Sequence, residues 1–171
     1  MLWKKYPKSL DNTTLELAYQ SLQGDSPSEI PRIVWLLENP ASPFALPGNI
    51  DLFGHDCIHL LLKQGFTSAN EAYVVGFTMG NDLRTTNIHF NFFKFACLFL
   101  YPPKYRLTFA EIILLEKGFK KGRSTPTKNL NQLNLEQWND KTLHELREEI
   151  DLEITGDLSG MLSSELSDML N

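Results

Sequence analysis

Cysteine is scarce: Cys57 and Cys97 are the two in 171 residues, each inside an apolar stretch and neither in Cys-x-x-Cys spacing. A structural disulfide framework is thereby not indicated, and a reducing compartment is the expectation. Long apolar runs are absent as well. The longest, around "FACLFLY", is followed directly by Pro102 and Pro103 and falls well short of the roughly 20 residues that a membrane-spanning helix needs. The start, "MLWKKYPKSLDN", has lysines but no apolar core and no Arg-rich amphipathic pattern, so no secretory signal or transit peptide is read there. These absences point to a cytoplasmic protein that meets a membrane, if at all, only at its surface. Basic residues are missing from one end: residues 148 to 171 hold seven acids and no Lys or Arg. Of 16 basic and 21 acidic residues in all, residues 1 to 147 therefore keep 16 against 14, a balance of +2. That is far from the basic surface that nucleic acid requires, and nucleic acid is excluded as the expected partner. Finally, no stretch alternates apolar and polar residues over a useful length, which argues against a sheet.

What is present is globular and helical. With 42% hydrophobic and 22% charged residues, the chain has the composition of an ordinary domain long enough to bury a core. Ser/Thr-x-x-Glu pairs recur just before apolar positions at helical spacing, the signature of capped helix starts. Thr13 with Glu16, Ser68 with Glu71 and Thr142 with Glu145 are three of them. A further helix is expected from near Ser26 or Ser28 to Asn39-Pro40, followed by the Pro-rich loop "PASPFALPGN". Another is expected from about Asp51 to Gln64, closed by Gly65 as a left-handed cap. The Phe-rich "FNFFKFACLFLY" lies on a helix over roughly Asn87 to Tyr101. It reads first as an all-round apolar core helix and second as the wall of a lipid groove. The next helix carries Phe109, Ile112, Ile113 and Phe119 and gives way to a basic, flexible "KKGRSTPTKN". The expected architecture is all-α, a single domain of about six to seven helices over residues 1–154, with a separable acidic tail over residues 155–171.

One short run concentrates chemistry. In "HDCIHLLLKQGFTSANE", residues 55 to 71, His55 and His59 are four apart, which stacks them one turn above the other on a single helix face. Two neutral imidazoles so placed can hold one metal ion. Asp56 lies one residue from His55, in reach of the same ion or of an imidazole, and Gly65 lets the chain reverse so that Glu71 returns toward the histidine face. Each residue also has a plainer reading: the His pair as coincidence, Asp56 as a solvated helix residue, Glu71 as the partner of the Ser68 cap. The apolar surroundings, Ile50, Leu52, Phe53, Ile58 and Leu60 to Leu62, favour the metal reading, because a partly buried imidazole or carboxylate needs a partner. Cys57, among apolar neighbours, reads as an inert buried thiol, His89 as a loop or core residue and His144 as a solvated one.

The set His55, Asp56, His59 and Glu71 spells H-D-x-x-H, eleven residues, then E, and this resembles the ubiquinone (coenzyme Q) biosynthesis protein 4 family. A second block, "GFKKGRSTPTKNLNQLNLEQWNDKTLHELREEIDL", resembles that family's closing segment, so that the likeness covers roughly residues 50 to 152. Where relatives carry an aromatic before the second histidine, this chain has Ile58. The resemblance implies a metal-dependent role on a polyprenylated aromatic ring, including oxidative removal of the ring carboxyl. It also implies a scaffold role among quinone-biosynthesis proteins, with a prenylated or other long-chain lipid as the bound molecule.

From ligand chemistry, two His with carboxylates suit a divalent ion, Zn first, with Mn, Fe(II), Co or Mg as alternatives. Catalytic and purely organising roles are both open at this point. A His-Asp metal phosphohydrolase would need a further upstream histidine, and none precedes His55. A zinc peptidase would need Glu where Asp56 stands.

Overall fold

The structure, a computed structural model, describes residues 5–22 and 37–154. The acidic tail and most of the helix expected from about Ser26 lie outside these residues; its last two positions, Leu37 and Glu38, are helical. Among the described residues the protein is all-α and has no strand. The helices are α1 (Leu15–Gln20), α2 (Leu52–Leu61), α3 (Ser68–Asn81), α4 (Asn87–Phe95), α5 (Phe109–Ser124) and α6 (Leu143–Glu149). A π-helical turn, Ala96–Leu100, extends α4, and its wider ring closes with the Tyr101 amide donating to the Ala96 carbonyl.

Caps set where these helices begin. Thr142 and Glu145 form the expected capping box of α6, and Thr108 with Glu111 forms another on α5. On α1 the capping residue is Thr14 rather than Thr13, its side chain accepting from the Leu17 amide. This leaves the Thr13 carbonyl to accept from Leu143, while Leu15 donates to Lys141, so the starts of α1 and α6 are pinned together. His89 is neither loop nor core: it is the half-buried third residue of α4, and its ring accepts from the amide of the cap Thr86.

The centre of the fold is the pair α3 and α5, whose backbones touch. A Cβ at Gly76 would stand 2.0 Å from the Leu115 carbonyl oxygen, and one at Gly80 2.1 Å from that of Phe119. From the other side, a Cβ at Gly118 would stand 2.0 Å from the Tyr73 oxygen and one at Gly122 2.2 Å from that of Phe77. Residue numbers rise together across the contact, so the helices run parallel. Both carry glycines four apart, "GFTMG" and "GFKKG", and only a residue without a side chain permits this approach. The basic segment after Phe119, expected to be flexible, is helical to Ser124, and its one glycine, Gly122, is part of this contact.

Two apolar clusters flank the pair. One joins α1, α2 and α6 to α3 through Leu15, Ile58, Leu61, Tyr73, Phe77 and Leu146. The other joins α4 and the π turn to α3 and α5 through Met79, Phe90, Phe93, Cys97 and Leu115. The core reading of the Phe-rich helix is therefore half correct. Phe90 and Phe93 are buried, but Phe92, Phe95 and Phe99 are 45%, 50% and 59% exposed, because the helix packs on one side only. On α5 the buried face runs through Leu114, Leu115 and the two glycines, and Phe109 is 80% exposed.

Helix α2, which carries the histidines, is held at its C-terminus by a buried arginine from α6. Arg147 donates to the carbonyls of Leu60 and Leu61, to Asp11 and to the Tyr6 hydroxyl. A cation at the end of a helix satisfies both the free carbonyls and the helix dipole. Burial pushes the Tyr6 hydroxyl up to about 12, against the pull of Arg147, so it remains a neutral bridge.

Candidate metal centre

The two histidines lie on the inner face of α2 as their spacing requires, and the next helix brings a carboxylate onto them. The α2 C-terminus does not use Gly65 as its left-handed residue; that conformation falls on Lys63, at φ 55°. Lys63 keeps its side chain paired with Asp11, and Gly65 is freed for another purpose. Its carbonyl oxygen accepts a hydrogen bond from His59 Nδ1 at 2.9 Å. Helix α3 then starts one residue earlier than the capping pattern implies. Thr67, not Ser68, is the cap, and its hydroxyl accepts from the Asn70 amide. Glu71 is thus one position beyond the capping-box partner, and its side chain turns back to the histidines instead.

The geometry is compact. Glu71 Oε2 lies 2.9 Å from His55 Nε2 and 3.3 Å from His59 Nε2, and the two Nε2 atoms are 3.1 Å apart. His59 is fully buried, stacked on Phe66 at 4.3 Å between ring centres, and its ring orientation is fixed by Gly65. Because Nδ1 donates to that carbonyl, Nε2 presents a lone pair to the site, the tautomer a metal ligand needs.

The charges follow from this arrangement. Burial would raise the Glu71 carboxyl, but the imidazoles beside it, above all His55 with its donated hydrogen bond and raised proton affinity, outweigh it and hold it well below the usual carboxylate range. For His55 burial opposes charging, while the hydrogen bond and charge of Glu71, joined by Asp56 and Glu38, raise its affinity for a proton. For His59 burial prevails, and the ring is kept neutral.

These residues fit a divalent ion. A proton on His55 Nε2 is shared between a carboxylate and a neighbouring lone pair, and a cation in that place would satisfy all three donor atoms. Metal–ligand bonds of about 2.0–2.2 Å at tetrahedral or octahedral angles place donor atoms roughly 3.0–3.5 Å apart, in line with the three separations. The group His55, His59 and Glu71 is thus one that can hold a metal ion. Asp56 is placed differently: it is buried on α2 next to His55 and borders the same cavity, and its carboxylate is not one of the three converging donors.

The triad opens onto a cavity of about 650 Å³ bordered by α2, α3, the α4–π segment, α5 and the Pro-rich loop. Its walls are mostly apolar, with Leu37, Leu46, Val75, Phe93 and Leu115 among them, and His55 and Glu71 at the surface. The Pro-rich loop is fixed there by Asp82, a carboxylate with no exposed side-chain surface that accepts from Gly48, Arg84 and Asn131. Burial would raise Asp82, yet the hydrogen bonds lower it to about 2. Cys57 is buried and its thiol pushed up by burial, in keeping with an inert side chain, and His144 is exposed beside Glu148.

Sequence reasoning missed two cavity residues, Glu38 and Tyr101, whose side chains are hydrogen-bonded to each other at 2.6 Å. The one signal was an acid ending the apolar run "IVWLLE". Compared with protein-family models, curated proteins and solved structures, the chain matches none. Among the described residues no helix is long and apolar enough to cross a membrane.

Proposed function

We propose that this protein binds a divalent metal ion, Zn first, at His55, His59 and Glu71, and uses it on a polyprenylated aromatic ring in quinone biosynthesis. The observation that carries the reading is the junction of two surfaces: three converging donor atoms at the edge of an apolar cavity of about 650 Å³. That size is in the range of small-molecule sites, which run from about 300 to 1,000 Å³. The order of the four motif residues, His55, Asp56, His59 and Glu71, supports the quinone assignment through the family resemblance.

In this reading the bound ion would polarise ring oxygens as a Lewis acid. The chain's own part is to place it. The Gly65 carbonyl orients His59, Glu71 bridges the two rings, and Asp56 adds negative charge beside His55. The apolar wall of Val75, Phe93 and Leu115 takes the first isoprene units and keeps water from the ring. Three protein ligands leave positions open for substrate oxygen, and the same geometry would serve to present the ring to a partner enzyme of the pathway.

The test is extraction. Full-length protein expressed in quinone-producing cells should release a prenylated aromatic compound into organic solvent, detectable by mass spectrometry. Adding such a compound to stripped protein should change its tryptophan fluorescence. Recovery of no prenylated lipid, with no spectral response to an added prenylated ring, would end the quinone reading.

A further inference from the structure

The metal triad accounts for one part of the cavity wall; a second polar group on that wall has no part in it. Glu38 and Tyr101 both line the cavity, and the Tyr101 hydroxyl donates to Glu38 Oε1 at 2.6 Å. Tyr101 is an immobile donor. It is 3% exposed, its amide closes the π turn on Ala96, its carbonyl accepts from Arg106 at 2.8 Å, and its ring packs edge-on against Phe93. One oxygen of Glu38 is therefore fixed in place by a tyrosine that is itself fixed at three points.

A carboxylate accepts about four hydrogen bonds, and among the described residues Tyr101 supplies the one this side chain receives. That side chain lines a cavity whose wall is mostly apolar, Leu37, Val75 and Cys97 included. Glu38 is also close enough for its charge to act on both His55 and Glu71. Glu38 and the triad thus border one cavity, and a molecule held at the triad by one oxygen has a second, pre-oriented acceptor on the same wall.

We propose that Glu38, positioned by Tyr101, is a specificity-determining residue of the cavity: it accepts a hydrogen bond from a second hydroxyl of an aromatic ring whose first oxygen is at the metal. The inference rests on the metal reading above and adds a selection rule, a preference for dihydroxylated over monohydroxylated rings. Burial raises the proton affinity of the Glu38 carboxyl, the Tyr101 hydrogen bond opposes this, and a divalent ion at the triad would add positive charge that favours the ionised, accepting form.

The test uses paired probes that differ by one hydroxyl: hexylresorcinol against para-hexylphenol, and tert-butylhydroquinone against ortho-tert-butylphenol. Dissociation constants are measured by calorimetry on zinc-loaded full-length protein, with zinc content and melting temperature recorded for every variant. In wild type the better pair should show a preference of roughly tenfold for the diol, the size of a hydrogen bond to a charged acceptor. Glu38→Ala should bring that ratio close to unity with zinc content unchanged, and Glu38→Gln and Tyr101→Phe should give intermediate ratios. A general loss of packing lowers both members of a pair and cannot change their ratio. Should Glu38→Ala fail to fold, the isosteric Glu38→Gln decides. Zinc bound normally together with a ratio that ignores Glu38, or no diol preference in wild type for either pair, overturns this proposal and leaves the metal reading standing. No zinc uptake by wild type overturns both.

Discussion

His59 Nδ1 donates to the carbonyl oxygen of Gly65, six residues on, and this one bond joins the end of α2 to the start of the turn toward α3. It decides the tautomer of a fully buried ring and so the direction of the Nε2 lone pair. It also explains why the chain reverses where it does. The turn residue is held by the side chain it will place beside Glu71, so the hairpin and the candidate site form together.

The contact between α3 and α5 has the least room for change. Gly80→Ala or Gly118→Ala puts a methyl carbon 2.1 Å or 2.0 Å from a carbonyl oxygen of the facing helix, far inside van der Waals contact, and the helices must move apart. The expected cost is about 3 kcal/mol or more, in the range of severe core overpacking, read as the shift of a urea unfolding midpoint. Lys120→Ala, exposed on the same helix, should stay within about 0.5 kcal/mol of wild type. Equal effects of the two kinds of substitution would refute the close backbone packing.

On the Phe-rich helix the structure separates residues that composition alone cannot. Phe93→Ala should cost about 3–4 kcal/mol, since the ring is 3% exposed and packs beside Tyr101. Phe95→Ser and Phe99→Ser, on the outward face, should each change stability by no more than about 1 kcal/mol. Thermal unfolding of the three variants checks this, and comparable losses at all three positions would restore the all-round core reading.

How much of this was legible in the sequence depends on the kind of signal. Capping boxes are local, and Thr142 with Glu145 was readable because side chain and backbone interact within one turn. The triad was legible in part: helical spacing puts His55 and His59 on one face and the short link to α3 returns Glu71, although the left-handed residue of the turn is Lys63 and not Gly65. The frame was less so: Thr67 and Ser68 are equally good caps by chemistry, and the choice falls to tertiary packing, since the Ser68 hydroxyl is used by Glu111 of α5. That one-residue difference separates Glu71 the cap partner from Glu71 the candidate ligand. The glycine contact was present in the sequence as two pairs four apart, but nothing local says that "GFTMG" must meet "GFKKG". Glu38 and Tyr101, 63 residues apart, meet only through the completed fold.

Asp82 gives a pH dependence with a definite sign. Its folded-state pKa is depressed to about 2, below the usual carboxylate value, so its contribution to stability is present above the unfolded-state pKa and is lost as pH falls through the window from there to about 2. Asp82→Asn should lower stability at neutral pH by about 2–4 kcal/mol, because the Gly48 and Asn131 donors lose a buried charged acceptor and Arg84 its ion pair. The deficit should shrink on acidification. Denaturant midpoints of both proteins across the acidic range measure it, and a deficit that grows toward low pH would contradict the assignment.

The central claim is that His55, His59 and Glu71 hold a metal ion, and the direct measurement is metal content. Full-length protein purified without chelator, then stripped and titrated at neutral pH with Zn, Mn, Fe(II), Co and Mg, is analysed by mass spectrometry and calorimetry beside His59→Ala and Glu71→Gln. The account predicts a single bound ion per wild-type chain, with Zn the tightest. Affinity should fall as pH drops through the raised pKa of His55, whose proton competes for the same lone pair. His59→Ala should lose the ion while remaining folded, and Glu71→Gln should weaken it by roughly tenfold or more, as loss of an anionic ligand requires. Wild-type protein that is isolated without metal and takes up none of the five ions would contradict the account.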